Sequence, residues 1–412
     1  MKAILVAAVA CALRSPHANF SSSVPRRHRA RPAAAAGAAG PRVAVTRDSY
    51  ANATAAAVAA VRRVASRLSL GCSIALRGEE IVVSVGGADY VAGRDALPAA
   101  AVGDGGAACR VGPAGGAEAR VAVYTVVDTV DYLVAPGNRE AFVNKARFCE
   151  RTKRSFFVVL VGPGDASLHA RDPLPWQACG EPEGRNQLSV YKAPGALRLF
   201  EADRGAKFLL YLDADAWFAD GSEAATLEAY GALLDDRGAD LMGVQNRYES
   251  DPGAAPPGGR PRKIVMNGGV FLLRRGAFAD DLAGLWWRGR CGPKDQLPLW
   301  VALFSHWHVA QGAPYDPAHF ETYKLARRAA LPALSAAVGA ARLPRGQLDA
   351  AVVVGNVLLL PALPVGDLPA LRSDQDWTRR TFVCHTKPGR PEQRGQCDAA
   401  DVCARARCEA PS

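Results

Sequence analysis

The chain has 412 residues, 49% of them apolar, and a formal net charge of +10 at pH 7. This length and composition allow a substantial buried core, in one large domain with appendages or in two smaller domains. Residues 1–47 contain eight lysines and arginines and no acid, so the remainder carries only about +2, since 10 − 8 = 2. We therefore exclude a nucleic-acid partner.

The first 13 residues have the pattern of a secretory signal peptide. Lys2 precedes an apolar run from Ala3 to Leu13 that contains small residues near its end. The run is shorter than the roughly 20 apolar residues that span a bilayer, and no later segment reaches that length, so no membrane span is predicted. We expect the secretory pathway, with the Golgi lumen as the location. A missing upstream anchor and a two-part plastid address, suggested by the acid-free residues 21–36, are the alternatives.

Cysteine usage fits an oxidising compartment. There are ten cysteines, and nine if Cys11 is lost with the signal peptide, which leaves at least one free thiol. Four of them near the carboxyl terminus are dense enough to cross-link a tail over residues 391–412: Cys384, Cys397, Cys403 and Cys408. Their spacing differs from the paired C-x-x-C pattern of a zinc site.

Residues 14–118 form a region of low complexity to which the sequence assigns no function. We expect one helix, Asn52–Leu70, and one strand, Glu80–Val85, within it. Its glycine-rich end, Val102–Gly116, is predicted to be a linker.

From residue 119 to 390 the pattern predicts an α/β domain. Apolar runs alternate with helical stretches in the following order: a strand ending at Asp128, a helix at Asn138–Thr152, a strand at Ser155–Pro163, a helix at Ala196–Arg204 and a strand at Lys207–Trp217. This alternation predicts a doubly wound, Rossmann-like and mostly parallel sheet flanked by helices. Ligands of such sheets bind at the carboxyl ends of the strands, so Asp128 is expected beside a bound nucleotide.

The pair Asp213 and Asp215 directly follows the apolar run Phe208–Leu212. Carboxylates two residues apart can turn toward one ion, and their hard oxygens suit Mn²⁺ or Mg²⁺. A diphosphate leaving group needs such an ion. A calcium loop is excluded because Trp217 and Phe218 occupy its fifth and sixth positions. An aspartyl phosphatase fits less well, since Trp217 replaces the expected Thr or Val, and a solvated strand end is the simplest alternative.

Several polar positions further along the chain support a ligand site. Asn267 and Gly268 precede an apolar strand, where glycine lets the backbone approach a ligand. Lys294-Asp295-Gln296 precedes an apolar helix, and His385 and Lys387 follow a strand. Taken singly, these features also fit a turn, a helix start and a structural histidine.

The order of these motifs is more specific than any one of them. LDADAWF, NGGVFLLRR, WW…DQL and FVCHTKPG resemble, in this order, the GT-A family that contains fungal galactosyl- and mannosyltransferases and plant xyloglucan xylosyltransferases. The chain is more distantly similar to glycogenin-like enzymes. The resemblance covers about Arg120 to Arg390. It implies a GT-A catalytic domain, a UDP- or GDP-sugar donor, Mn²⁺ and retention of anomeric configuration.

The same resemblance implies roles for individual residues. The metal would be held by Asp213, Asp215 and His385, and the two aspartates would also hold the ribose. The donor sugar would lie against Asn267 and Gly268, and the reacting carbon near Asp295 and Gln296. Lys387 would meet the diphosphate, and Lys192 resembles the basic residue that precedes the helix before the D-x-D strand.

The predicted activity is therefore transfer of a hexose or pentose from a nucleotide-diphosphate sugar to a glycan or glycoprotein hydroxyl. The acceptor stays open, because residues 344–361 are mostly apolar where the family carries polar residues, and Thr386 replaces the family's aromatic or glycine. A D-x-D phosphatase or nucleotide-sugar hydrolase, and an inactive sugar-binding homologue, are the alternatives.

Overall fold

The computed structural model describes most of the chain after residue 42. The described ranges are 43–116, 119–135, 137–161, 173–177, 186–219, 224–245, 266–290, 295–313, 315–316, 352–360, 368–371 and 377–385. They all belong to one compact unit that spans residues 41–412. The predicted signal peptide, Lys387 and the tail 391–412 lie outside them.

The amino-terminal helix α1 spans Arg47–Arg67 and begins earlier than predicted. Thr46 and Ser49 form a capping box, in which each side chain bonds the other residue's backbone N–H group. This cap satisfies donors that a helix terminus otherwise leaves without partners. The buried face of α1, which includes Val61 and Val64, packs against the helix Ala277–Arg288 described below.

Four strands follow α1: β1 (Cys72–Arg77), β2 (Glu80–Val85), β3 (Ala88–Val91) and β4 (Ala107–Val111), with the short helix α2 (Ala99–Val102) between β3 and β4. The first three form an antiparallel meander, and β4 is parallel to β1. The predicted linker Val102–Gly116 is therefore wrong over Ala107–Val111. Four of those five residues are small or apolar and buried, Arg110 is partly buried, and the disulfide Cys72–Cys109 links the strand to β1.

The next part of the chain contains β5 (Val121–Val127), α3 (Asp131–Val134), α4 (Asn138–Arg151), β6 (Phe156–Leu160), a 3-10 turn (Asn186–Tyr191), α5 (Lys192–Ala202), β7 (Phe208–Leu212) and β8 (Ala216–Phe218). The remaining elements are α6 (Ala224–Asp236), β9 (Leu241–Gln245), β10 (Met266–Arg274), α7 (Ala277–Arg288), α8 (Gln296–Gln311), β11 (Val352–Val354), β12 (Val357–Leu360), β13 (Leu368–Leu371) and β14 (Trp377–His385). The predicted single strand Lys207–Trp217 is in fact two strands separated by a turn at residues 213–215.

The described strands form a mixed sheet in the order β11-β12-β9-β10-β7-β5-β6-β4-β1-β2-β3. In its central section β5, β6, β7, β9 and β12 run in one direction, and β10 runs against its neighbours β7 and β9. Antiparallel pairs are more common toward the edges. The coarse prediction of an α/β fold with a mostly parallel central sheet is confirmed for the middle of the sheet. A second, small sheet has the order β13-β14-β8.

Helices cover both faces of the large sheet. Leu209 and Tyr211 of β7 join a core formed with α1, α5, α7 and α8, whereas Leu210 and Leu212 join a second core formed with α4 and α6. Alternate side chains of a strand point to opposite faces, which produces this division. None of the helices in the described ranges is long and apolar enough to cross a membrane.

Candidate active site

The candidate site lies where β7 ends. All five residues of β7 are buried, and the chain then turns at Asp213 and Asp215, which are half-buried. The turn is fixed by the backbone: Asp213 N donates to Gly269 O at 2.8 Å, and Ala216 N donates to Asp213 O at 3.0 Å. The two acids therefore leave the sheet edge beside the start of β10.

A buried lysine, itself a predicted position, connects three of the others. Lys192 is the first residue of α5, and its side chain is 3% exposed. Its Nζ lies 3.0 Å from Asp213 Oδ1 and 2.6 Å from Asp295 Oδ2, and it donates to Gly268 O at 2.9 Å. The structure thus brings the end of β7, the start of β10 and the residue before α8 around one ammonium group.

Tyr211 adds a second donor to the same carboxylate. Its hydroxyl donates to Asp213 Oδ1 at 2.5 Å, and Lys192 Nζ lies 4.5 Å from the centre of its ring. Burial and the charge of Asp213 hold the pKa of Tyr211 well above its usual value. Burial lowers the pKa of Lys192, but the charges of Asp213 and Asp295 raise it by more than burial lowers it. The net shift is upward. At neutral pH the lysine is a cation and the tyrosine is a donor.

The first turn of α8 is attached to β10. Gln296 Nε2 donates to Met266 O at 3.0 Å, and Trp286 Nε1 donates to Asp295 O at 2.8 Å. Asn267 Oδ1 accepts from Gly269 N at 2.7 Å. The strand pairing is interrupted between Asn267 and Phe271, so the predicted Asn267-Gly268 pair stands at a β-bulge. These contacts fix the position of Asp295 relative to residues 213–215, called the acid turn from here on.

Asp128 and an aromatic residue that the sequence analysis missed form another part of this region. Asp128 follows β5, is exposed, and accepts from Thr129 N at 2.8 Å. Tyr132 of α3 is 40% exposed, and burial of the rest of its ring raises its pKa. A side-chain hydrogen bond with Asn138 lowers that pKa, and the charges of Asp215, Asp128 and Asp213 raise it. No sequence motif marked this position.

Lys145 was also missed. It is fully buried in α4 and donates to the backbone carbonyls of Asp213 and Ala214, both at 2.9 Å. Burial lowers its pKa to about 8, against the opposing effect of Asp215 and Asp213. One signal was available in the sequence: Lys145 shares the apolar face of α4 with Phe142 and Cys149, at helical spacing.

The predicted histidine ligand lies on β14. That strand pairs antiparallel with β8, and the backbone of His385 lies opposite Ala216, the residue after Asp215. The preceding residue, Cys384, is buried and disulfide-bonded. Among the side chains that the structure describes, no group of three or more His, Cys, Asp or Glu residues is able to hold a metal ion. The described carboxylates of the predicted metal site are Asp213 and Asp215.

Comparisons with known proteins add little to this geometry. No family model matches the chain, and no curated protein matches it. Among solved structures, the chain is similar to a glycosyltransferase involved in the glycosylation of the major capsid of PBCV-1, with 13% identity and a TM-score of 0.30 over 46% of this chain and 78% of that chain. A likeness this weak supports no inference, so the proposals below rest on the site itself.

Proposed function

We propose that this protein is a Mn²⁺-dependent, retaining glycosyltransferase that moves a hexose or pentose from a nucleotide-diphosphate sugar to a glycan or glycoprotein hydroxyl. The observation that carries the proposal is the contact of Lys192 with Asp213, Asp295 and Gly268. It joins Asp213, one of two carboxylates suited to a hard cation, to the glycine segment at the start of β10 and to a third carboxylate, Asp295. They stand at the carboxyl end of β7, where ligands of α/β sheets bind.

The donor set fits the implied metal. Asp213 and Asp215 supply carboxylate oxygens, which Mn²⁺ and Mg²⁺ prefer, and His385 on the neighbouring strand is the third residue proposed to hold the ion. When bound, such an ion supplies positive charge that neutralises the leaving diphosphate. Tyr211 and Lys192 both contact Asp213 Oδ1, so this carboxylate is held in one orientation before any ligand arrives.

Residues of the protein bind the donor sugar and the nucleobase and stabilise the charge at the reacting carbon. The donor sugar is proposed to lie beside the buried Gly268, where a methyl group would be 3.5 Å from Leu299 Cδ2 and 3.8 Å from Asp295 Oδ2. A sugar against Gly268 therefore has Asp295 beside it, where a carboxylate can stabilise the positive charge that develops at the reacting carbon. Gln296 and Asn267 hold the start of β10 and the first turn of α8 in place through the hydrogen bonds given above. The exposed ring of Tyr132 offers an apolar face for the nucleobase beside the acids.

The disulfide Cys72–Cys109 supports the proposed secretory location, because such bonds persist mainly in oxidising compartments. We propose the Golgi lumen, where nucleotide sugars serve as donors. A plastid location is the alternative carried by residues 21–36.

The direct test is a donor screen with Mn²⁺ on the wild-type protein and on Asp215→Ala. We expect the variant to lose transfer by about 1,000-fold, the equivalent of several kcal/mol of charge stabilisation, and to lose its response to Mn²⁺. Asp281→Ala is the matched control, because Asp281 is also a half-buried aspartate but lies on α7, and its pKa is raised by burial and by Asp280. Transfer that survives both a chelator and Asp215→Ala would refute the proposal.

The same assay separates the two other candidate functions. Without an acceptor, a nucleotide-sugar hydrolase releases free sugar at its full rate, whereas a transferase releases it slowly. An inactive sugar-binding protein binds UDP with Mn²⁺ in calorimetry but turns over no donor.

A further inference from the structure

The acid turn is held from both faces of the sheet. Lys192 belongs to α5, which packs in the core with Leu209 and Tyr211, and it contacts the side chain of Asp213. On the other face, α4 packs in the core with Leu210 and Leu212. Two consecutive residues of α4, Asn144 and Lys145, make side-chain hydrogen bonds to backbone atoms of the segment 213–218.

Lys145 is the first of these contacts. Its Nζ donates to Asp213 O and Ala214 O, both at 2.9 Å, from a side chain with no exposed surface. These carbonyls belong to the turn that carries both acids. Asp213 O also accepts from Ala216 N at 3.0 Å, whereas the bond to Ala214 O is wholly buried. Leaving the Ala214 carbonyl without this donor would cost about 1–3 kcal/mol, so the ammonium stabilises the turn at Ala214.

Asn144 is the second contact. Its Oδ1 accepts from Phe218 N at 2.8 Å, and its Nδ2 donates to Phe218 O at 3.0 Å. The side chain thus pairs with β8 as a neighbouring strand would. On its other side β8 pairs with β14, where Val383 lies opposite Phe218 and His385 opposite Ala216. The position of β8 therefore sets the spacing between the acid turn and the backbone of His385.

We propose that Asn144 and Lys145 are positioning residues that set the geometry of the metal site. They touch neither ion nor donor; they hold the backbone from which Asp213, Asp215 and His385 extend. Partners outside the ligand shell orient metal ligands, and their loss typically weakens metal binding by about 10- to 100-fold. This inference rests on the proposed function, since it presupposes a cation at Asp213 and Asp215.

The sign of the effect separates positioning from simple electrostatics. A buried ammonium close to Asp213 and Asp215 repels a divalent cation. If charge were the whole role of Lys145, its removal would tighten Mn²⁺ binding. If Lys145 positions the turn, its removal weakens Mn²⁺ binding in spite of the lost repulsion. Asn144 carries no charge, so its removal reports on positioning alone.

The test measures Mn²⁺ binding without donor, by calorimetry, in the full chain and in three variants: Lys145→Met, Asn144→Ala and Arg154→Met. Arg154 is the control, because it is a buried cation just after the same helix but pairs with Glu228 of α6 instead of the acid turn. We expect the dissociation constant to rise about 10- to 100-fold in Lys145→Met and about 10-fold in Asn144→Ala. In Arg154→Met the melting temperature falls but the dissociation constant stays unchanged.

Three outcomes overturn the inference. One is Mn²⁺ binding to Lys145→Met that is as tight as in the wild type, or tighter. Another is equal weakening in Arg154→Met, which would indicate a general loss of stability. If the wild-type protein itself binds no Mn²⁺, the proposed function fails and this inference fails with it. Should Lys145→Met not fold, Asn144→Ala decides by the same criterion.

Discussion

At the scale of single residues, the candidate site has a buried cation that two carboxylates share. Removal of the cation therefore takes a positive charge away from both carboxylates. Lys192 is one cation between two carboxylates, Asp213 and Asp295, whose side chains are 29% and 17% exposed. Burial of a lysine normally favours its neutral form, yet here the two acids raise its pKa. The ammonium is therefore part of the folded structure at neutral pH.

Replacing Lys192 by Met should cost about 3 kcal/mol of the free energy of unfolding. This value lies at the lower end for loss of one partner of a buried ion pair, because both carboxylates keep some contact with solvent. The variant should also lose transfer, since Asp213 and Asp295 would then repel each other. Urea unfolding measures the first effect. Lys207→Met is the control: Lys207 pairs with Asp235 at the surface and should change stability by about 0.5 kcal/mol. Equal losses in the two variants would contradict the buried-pair interpretation.

The sequence predicted site residues that contact other side chains, but it did not predict a lysine that, among the described residues, donates hydrogen bonds only to backbone carbonyls. Motif order singled out Lys192, Asp213, Gly268 and Asp295, and the structure places them together. Their functional roles stay predictions. Lys145 was missed because it contacts backbone carbonyls, which every residue has, so no partner residue type marks the pair.

At the scale of elements, apolar runs were a good guide to strands. The segment Glu80–Val85 was predicted with its observed bounds, and Asn138–Thr152 to within one residue. The prediction was wrong at Ala107–Val111, where glycines on both sides suggested a linker. It was also wrong in continuing one strand through residues 213–215, because Ala214 and Trp217 keep the segment apolar while the backbone turns.

Packing between helices α1 and α7 was not visible in the sequence at all. The two helices approach so closely at Gly284 that a Cβ atom there would lie 2.7 Å from Val58 N and 2.9 Å from Ala57 C. These are backbone atoms, which cannot rotate away. Gly284 is therefore required by the contact between the helices, although glycine is a poor helix former.

We expect Gly284→Ala to lower the free energy of unfolding by about 1–2 kcal/mol. The higher helix propensity of alanine favours the variant by about 1 kcal/mol, and overpacking costs about 1–3 kcal/mol. Because the clash is with backbone atoms, we expect a cost of about 2–3 kcal/mol, which exceeds the gain. Gly71→Ala is the control, because the nearest atom to its new Cβ lies 3.8 Å away. Urea unfolding of both variants is the measurement. A Gly284→Ala protein as stable as the wild type would show that α1 and α7 separate easily.

At the scale of the whole molecule, the amino-terminal region extends the sheet that carries the site. The strand β4 pairs with β6, β1 pairs with β4, and α1 packs on α5 and α7. Composition rich in Ala, Gly and Arg concealed this, because the pairing joins segments far apart in the chain, and local periodicity does not report on such contacts. The disulfide Cys72–Cys109 closes this extension at the point where β1 meets β4.

Loss of that disulfide should destabilise the protein by about 4 kcal/mol, the entropy expected for a closed loop whose ends are 37 residues apart. Because one bond is broken whichever cysteine is removed, Cys72→Ala, Cys109→Ala and the double variant should lose similar amounts. Cys149→Ala controls for the loss of a buried thiol, since Cys149 is free and buried, and should cost about 1 kcal/mol. Thermal unfolding under oxidising conditions measures all four variants. Two small single losses that add in the double variant would mean that the thiols contribute separately and that no disulfide joins β1 to β4.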